Sequence, residues 1–239
     1  VIWLPGGCVF FPWRDVDDPT IVRDVTFDSY SSGHRVYIRR RVTYERNVRA
    51  RNFLVFIIVE RGGYLIWHNA WTENVLYPIY NDGGTVDIIG GNLTGTSYNL
   101  NSGIFNIWGT TNVNIIDNNA TLTLGGGVTV NEIKQGPLGI LILASKLASR
   151  WVIDLTGHRA NEYVDGQIIV QGGSDYRLTA ADMALMDFRL PAGCSVTLDT
   201  SRNAIVLHVP TFPKGDVNLD MTVDVADIAT IISIMANSG

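Results

Sequence analysis

The chain has 239 residues, of which 46% are hydrophobic and 17% are charged, and its formal net charge is −5. This composition is that of a folded protein and excludes a disordered chain, while the negative charge argues against nucleic acid as a partner. The longest apolar run, residues 53–59, is far shorter than the roughly 20 residues that cross a bilayer, so we expect no membrane span.

Short runs of β-branched and aromatic residues dominate the chain from about residue 20 to about residue 210. Gly, Asn and Thr separate these runs at short intervals. Runs of this length between turn-forming residues are typical of strands, so the sequence predicts an all-β fold.

Four of these runs repeat one another. They lie at residues 84–88 (GTVDI), 103–107 (GIFNI), 120–124 (ATLTL) and 139–143 (GILIL), at steps of 19, 17 and 19 residues. A period of about 18 residues suits one coil of a parallel β-helix, in which each coil stacks on the previous one. Alternation would point Leu122 and Leu124 inward. We therefore predict a right-handed parallel β-helix, with a β-sandwich of periodic strand spacing as the alternative.

Residues 175–209 depart from the repeat and predict a cap on its end. Thr179 and Asp182 have the spacing of a capping box ahead of Met183 and Met186, which predicts a helix of about two to three turns. Two closing strands, at residues 195–198 and 204–208, would cover the open edge of the stack.

The coils of residues 84–209 resemble those of bacterial surface β-helix repeat proteins, on the pattern of their repeated Gly- and Thr-containing runs. The resemblance implies an extracellular or cell-surface location. It also implies a role in adhesion or display.

An acidic appendage, residues 210–239, follows the body formed by residues 1–209 and starts with a two-proline linker. Counted from its first Asp, a 12-residue calcium loop needs oxygen donors at positions 1, 3, 5, 7, 9 and 12. Those positions hold Asp216, Asn218, Asp220, Thr222 (through its backbone carbonyl), Asp224 and Asp227. Calcium takes six to eight hard oxygen ligands, so the sequence predicts calcium as the cofactor of this loop.

Apolar residues at helical spacing follow the loop: Ile228, Ile231, Ile232 and Met235. A loop of this kind with Asp at its twelfth position and an amphipathic helix behind it resembles a single type I dockerin repeat. The match is closest at residues 224–236. The resemblance implies a cohesin-like protein module as the partner and the four apolar side chains as the docking face.

Two features depart from the dockerin pattern. Met221 occupies the sixth loop position, where the backbone normally requires Gly, and this should weaken the affinity for calcium. The family also carries two such repeats, and this chain contains one.

An arginine-rich segment at residues 34–51 suggests a second binding surface. Its Arg35, Tyr37, Arg39 and Arg41 alternate guanidinium and aromatic groups, which can pair with the carboxylates of an acidic polysaccharide and stack on its rings. The alternative is a solvated sheet face with Val36 and Ile38 pointing inward.

Together these features predict a non-catalytic secreted or cell-surface protein whose body adheres, displays or binds glycan, and whose tail docks to a partner. The alternative is a polysaccharide lyase or glycoside hydrolase of the β-helix type that carries a dockerin. The scattered histidines and the missing nucleophile motifs favour the non-catalytic interpretation.

Overall fold

The computed structural model describes residues 2–3, 9–10, 20–29, 35–218 and 222–236. The chain is a parallel β-solenoid that is 52% strand, with a short helix at its C-terminal end. This confirms the predicted parallel β-helix. The β-sandwich alternative is wrong, because strands of successive coils pair in parallel with each other.

Twenty strands make up the sheet system of the described residues. In chain order they are β1 (Ile2–Trp3), β2 (Val9–Phe10), β3 (Thr20–Val22), β4 (Thr26–Asp28), β5 (Arg35–Ile38), β6 (Arg41–Tyr44), β7 (Arg49–Arg51), β8 (Val55–Glu60), β9 (Tyr64–Glu73), β10 (Tyr77–Asp82), β11 (Thr85–Leu100), β12 (Ile104–Asn118), β13 (Thr121–Leu124), β14 (Thr129–Gln135), β15 (Ile140–Leu143), β16 (Trp151–Asp154), β17 (Gln167–Gly172), β18 (Met186–Arg189), β19 (Ser195–Asp199) and β20 (Ala204–His208).

Pairing between coils sorts these strands into three parallel stacks, which we call faces 1, 2 and 3. Face 1 contains β1, β4, β7, the end of β9, the middles of β11 and β12 and the start of β14. Face 2 contains β2, β5, β8, β10, β16, β18 and the ends of β11, β12 and β14. Face 3 contains β3, β6, β13, β15, β17 and the starts of β9, β11 and β12.

The register on face 3 is the one that the repeat predicts. Thr85 pairs with Ile104, Ile104 with Thr121, and Thr121 with Ile140. The next residue of each run points inward and is fully buried: Val86, Phe105, Leu122 and Leu141. Each such side chain contributes about 2 kcal/mol of burial free energy, so a slip of one residue would expose the whole row.

The coils before residue 84 continue the same solenoid and have an aromatic core. Phe27, Tyr44, Phe56 and Trp67 are fully buried, and the Tyr44 and Trp67 rings meet edge to face with centroids 5.6 Å apart. A polar row also runs inside the solenoid, where face 2 turns into face 3. Its members are Asn81, Asn99, Asn118 and Gln135.

The predicted helix after Thr179 is present but shorter than expected. Helix α1 spans Ala180–Ala184, with the Thr179 and Asp182 capping box in place. The inclusion of Met186 in this helix is wrong, because Met186 begins β18, which pairs in parallel with β16 and covers its edge. The two closing strands form an antiparallel hairpin, and β20 pairs antiparallel with β17 at the end of face 3.

Two further helices complete the described chain. A 3-10 helix spans Ala160–Glu162, between β16 and β17, and α2 spans Val225–Ala236 in the appendage. Among the described residues, no helix combines the length and apolar character needed to cross a membrane.

Candidate functional site

The C-terminal loop is closed by a single carboxylate. Asp227, in the first turn of α2, accepts hydrogen bonds at Oδ1 from the backbone N–H groups of Val217 (2.6 Å) and Asn218 (3.1 Å). Its Oδ2 accepts a third from the N–H of Asp224 at 2.8 Å. These N–H donors favour the ionised form, so the pKa of Asp227 lies below its ordinary value. The two ends of the loop are therefore held against the start of the helix.

The predicted calcium donors that the structure describes come from both ends of this loop. Asp216 and Asp227 are almost completely buried, while Thr222 and Asp224 are exposed. Asn218 is half-buried. The central donor Asp220 and its neighbour Met221 lie outside the described residues. Within the residues that are described, no three His, Cys, Asp or Glu side chains gather into a group that would hold a metal ion.

The apolar side chains of α2 are largely in solvent. Ile228, Ile231, Ile232 and Met235, the predicted docking residues, are 59%, 42%, 61% and 71% exposed. An isolated apolar side chain on a surface is ordinary, but four on one side of a short helix form a continuous patch. The helix therefore presents its predicted docking face outward.

A crevice of about 430 Å³ separates the appendage from the body. Val217, Asn218 and Thr230 line it from the appendage, and Thr156 and His158 are among the residues that line it from the body. The appendage therefore sits beside the loop that follows β16.

The four residues predicted to bind acidic glycan do not share one face. Arg35 and Tyr37 lie on the outside of β5, on face 2, and Arg41 lies on β6, on face 3. Arg39 is at the corner between them, with its guanidinium 5.8 Å from the Tyr37 ring centroid and an ion pair to Glu60. The structure brings Arg39 to Tyr37, and it places Arg41 over Tyr64 instead, at 5.3 Å. Val36 and Ile38 point inward and are buried, as the alternative predicts.

Several arginines of this region also bind carboxylates of a neighbouring coil. Arg46 Nε lies 3.2 Å from Asp24, and Arg51 Nη2 lies 2.6 Å from the buried carboxylate of Asp28. The exposed Arg46–Asp24 pair adds little stability because solvent screens it, and the main effect of both pairs is to occupy guanidinium groups that a ligand would need.

A second candidate site lies on face 2 and combines aromatic and charged groups. Register places five outward side chains in line on successive strands, and we call them the face 2 row: Tyr80, Tyr98, Asp117, Lys134 and Asp154. Strands of one sheet are about 4.8 Å apart, so the row spans four such steps. Tyr98 lies between Tyr77 and Tyr80, with 5.4 Å between ring centroids in each pair.

A groove of about 440 Å³ opens over the charged end of this row, and we call it the Asp117 groove. Asp117, Lys134 and Asp154 form its floor, and the loop carrying Thr156 and His158 forms its wall. The wall is held in place because His158 Nδ1 contacts Glu162 Oε2 at 3.0 Å and the His158 ring packs edge-on against Tyr163.

The two carboxylates of the groove have different environments. Burial raises the pKa of Asp117 above its ordinary value, although Lys134 and protonated His158 act against this. Burial acts in the same direction on Asp154, but hydrogen bonds from the Thr156 hydroxyl (2.6 Å) and N–H (2.8 Å), together with the charge of Arg189, lower its pKa overall. Asp154 is thus engaged with its own turn. Among the described residues, no group forms a hydrogen bond or an ion pair with the Asp117 carboxylate, whereas its backbone belongs to the paired strand β12.

Sequence reasoning missed this groove because its residues carry no hydrophobic signal. The step from one member of the row to the next is 18, 19, 17 and 20 residues, so a search at the coil period would have aligned them. The segments that join face 2 to face 3 vary in length, however, and this variation hides which polar residue of each coil falls on the row.

No protein-family model, curated protein or solved structure matches this chain.

Proposed function

We propose that the chain is a non-catalytic secreted or cell-surface protein, in which the solenoid body adheres to or displays a ligand and the appendage docks to a partner. The observation that carries the proposal is the exposed apolar face of α2, held next to a loop that Asp227 closes. When a partner protein covers the apolar side of an amphipathic helix, that side leaves water, and this burial favours binding. By the resemblance to a dockerin repeat, the partner is a cohesin-like module.

Calcium has a physical role in this proposal. Asp216, Asp220, Asp224 and Asp227 are concentrated in one loop, and their mutual repulsion opposes a compact arrangement. A bound calcium ion would remove that repulsion and fix the loop against the start of α2. The backbone N–H groups around Asp227 already supply part of the closure.

Surface binding of an immobilised type I cohesin module, measured with and without calcium, tests the docking proposal. We expect binding that needs calcium and that Ile231→Asp and Ile232→Asp each weaken at least tenfold. Ser233→Asp is the matched control, because it adds the same charge to the same helix roughly 100° away from Ile232. Equal binding of the Ile231→Asp and Ser233→Asp variants would refute the proposed docking face.

We also propose acidic polysaccharide as a ligand of the arginine-rich surface. Its support is the guanidinium of Arg39 over Tyr37 and that of Arg41 over Tyr64. Retention on an acidic polysaccharide gel should fall with added salt and fall in an Arg39/Arg40/Arg41→Ala variant. Equal retention of that variant and the wild type would contradict the proposal.

A second candidate function, hydrolysis or lysis of a polysaccharide, draws on the Asp117 groove. Enzymes that cleave glycosidic bonds use two carboxyl groups whose environments separate their pKa values, as Asp117 and Asp154 do. We favour the non-catalytic function because Asp154 is occupied by Thr156 and Arg189. Assays for new reducing ends and for unsaturated products on a panel of polysaccharides separate the two functions, since an enzyme would release products.

A further inference from the structure

The Asp117 carboxylate is a half-buried charge with its hydrogen-bonding capacity unused by the described protein groups. Removing a carboxylate from water without replacing its hydrogen bonds costs free energy, and that cost raises its pKa. A ligand that brings its own donors would recover the cost. The neighbouring groove is large enough to admit one, since small-molecule sites are commonly about 300–1,000 Å³ in volume.

The aromatic end of the face 2 row continues the same surface. Tyr98 is the immediate cross-strand neighbour of Asp117, and Tyr77 and Tyr80 pack against it. All three rings are partly exposed, and burial together with the nearby Tyr77 and Asp117 raises the pKa of Tyr98. A ligand bound at Asp117 therefore meets an apolar, aromatic surface one strand away.

Charge decides which class of ligand suits this surface. Arg189 pairs with both Glu132 (3.3 Å) and Asp154 (3.7 Å), so the carboxylate that opposes a polyanion here is that of Asp117. Lys134 lies between Asp117 and Asp154 in the register and offers a hydrogen-bond donor. An extended peptide is poorly suited, because it binds sheets by pairing with free backbone groups at an edge. The backbone groups of these strands are already paired with those of the next coil. A ligand with hydroxyl groups and an uncharged, partly apolar ring suits this surface. Its hydroxyl groups can donate to Asp117, its ring can pack against Tyr98, and it needs no free backbone groups.

We propose that the Asp117 groove binds an uncharged saccharide, with Asp117 accepting hydrogen bonds from sugar hydroxyl groups, Lys134 donating to a sugar oxygen and Tyr98 packing against a neighbouring ring. This names the ligand of the body and rests on its proposed display role, but not on docking by the appendage. It also differs in place and in charge from the acidic-polysaccharide surface at Arg39.

Affinity electrophoresis of the full chain in gels containing mixed-linkage β-glucan, xylan, galactomannan or polygalacturonate tests the proposal. We expect at least one uncharged polysaccharide to retard the wild type. Asp117→Asn and Tyr98→Leu should each weaken that retardation at least tenfold, expressed as a dissociation constant. Retardation by polygalacturonate should be the same for Asp117→Asn and the wild type, because the arginine-rich surface is unchanged.

Two controls match these changes. Asp175→Asn makes the same substitution at an exposed turn, and Trp108→Leu removes a partly exposed ring from face 3. Both should bind as the wild type does, and far-UV circular dichroism should show that all four variants keep the β fold. The proposal is overturned if no uncharged polysaccharide retards the wild type, or if Asp117→Asn binds it as tightly. Either result leaves cohesin binding by α2 intact, so the failures of the two proposals can be told apart.

Discussion

Asn99 donates a hydrogen bond from its Nδ2 to the Oδ1 of Asn118, 2.9 Å away, in the buried interior of the solenoid. Asn81 donates to Asn99 in the same way at 2.9 Å, and Asn118 donates to Gln135 at 3.1 Å. The Asn99 and Asn118 amides thus each use the oxygen for one neighbouring coil and the nitrogen for the next. The row ties the coils together where face 2 turns into face 3.

Substitution of Asn99 by Ala should destabilise the body by about 3 kcal/mol. The change leaves Asn81 Nδ2 without its Oδ1 acceptor, and it leaves Asn118 Oδ1 and the Thr121 carbonyl without the Asn99 donor. Urea denaturation followed by circular dichroism gives the free energy of unfolding. Asn92→Ala, at an exposed position of the same strand, is the control and should change it by less than about 0.5 kcal/mol. Equal midpoints for the two variants would contradict a structural role for the row.

Two glycines with positive φ should respond very differently to substitution by Ala. Gly62 (φ +83°) has open space around it, so Gly62→Ala should cost about 1 kcal/mol through backbone strain. Gly91 (φ +116°) lies at the corner between faces 3 and 1, where a Cβ atom would come within 2.0 Å of the Ala70 carbonyl oxygen. Gly91→Ala should therefore cost several times as much, because backbone atoms must move. Thermal unfolding of the two variants measures the difference, and similar losses would show that the corner can relax.

The stability of the cap should depend on pH through Asp182. Burial opposes ionisation of this carboxylate, but hydrogen bonds from the Thr179 hydroxyl (2.6 Å) and the Tyr176 hydroxyl (2.6 Å) outweigh it and lower its pKa below the ordinary value of 3.8. A lowered pKa in the folded state stabilises the protein above that ordinary value, and this stabilisation is lost as the pH falls through the lowered pKa.

Asp182→Asn should accordingly cost about 2 kcal/mol at about pH 7 and much less at about pH 2. Urea unfolding at the two pH values measures both differences. Asp175→Asn is the control, since this carboxylate is exposed. If Asp182→Asn lowered the free energy of unfolding equally at both pH values, ionisation of Asp182 would not stabilise the cap, and the prediction would be wrong.

Calcium binding should respond to the sixth position of the loop. Isothermal titration calorimetry should detect calcium binding by the wild type and a loss of at least tenfold in Asp216→Ala and Asp220→Ala. Met221→Gly should bind more tightly than the wild type, because Gly adopts positive φ without the strain that a side chain adds. Asp165→Asn, far from the loop in sequence, should bind as the wild type does. An unchanged affinity in Met221→Gly would contradict the proposed loop geometry.

The solenoid could be predicted because its inward residues are apolar and recur at the spacing of one coil. The runs that contain Val86, Phe105, Leu122 and Leu141 gave the strand register on face 3 from spacing alone. The capping box at Thr179 likewise predicted where α1 begins. Where α1 ends was missed, because the open edge of β16 recruits Met186 into a strand, and this pairing depends on the tertiary fold.

Outward residues were harder to place. Arg35, Arg39 and Arg41 are close in sequence, and the corner at residues 39–40 separates them onto two faces. Asp117 and Asp154 are 37 residues apart and meet in one groove, because two coils of unequal length lie between them. Contact across coils depends on the number of residues at each corner, and local sequence patterns do not report that number.

The antiparallel pairing of β20 with β17 has a consequence for how such a molecule changes length over evolution. This reversal of strand direction interrupts the parallel order at the end of face 3, so a strand added beyond it would meet a different hydrogen-bonding pattern. Duplication of an internal stretch of about one coil meets no such obstacle, because the new coil offers the same parallel edges above and below. The length of the body can therefore vary by in-frame duplication within the gene, while both its terminal hairpin and the helix beyond it are inherited unchanged.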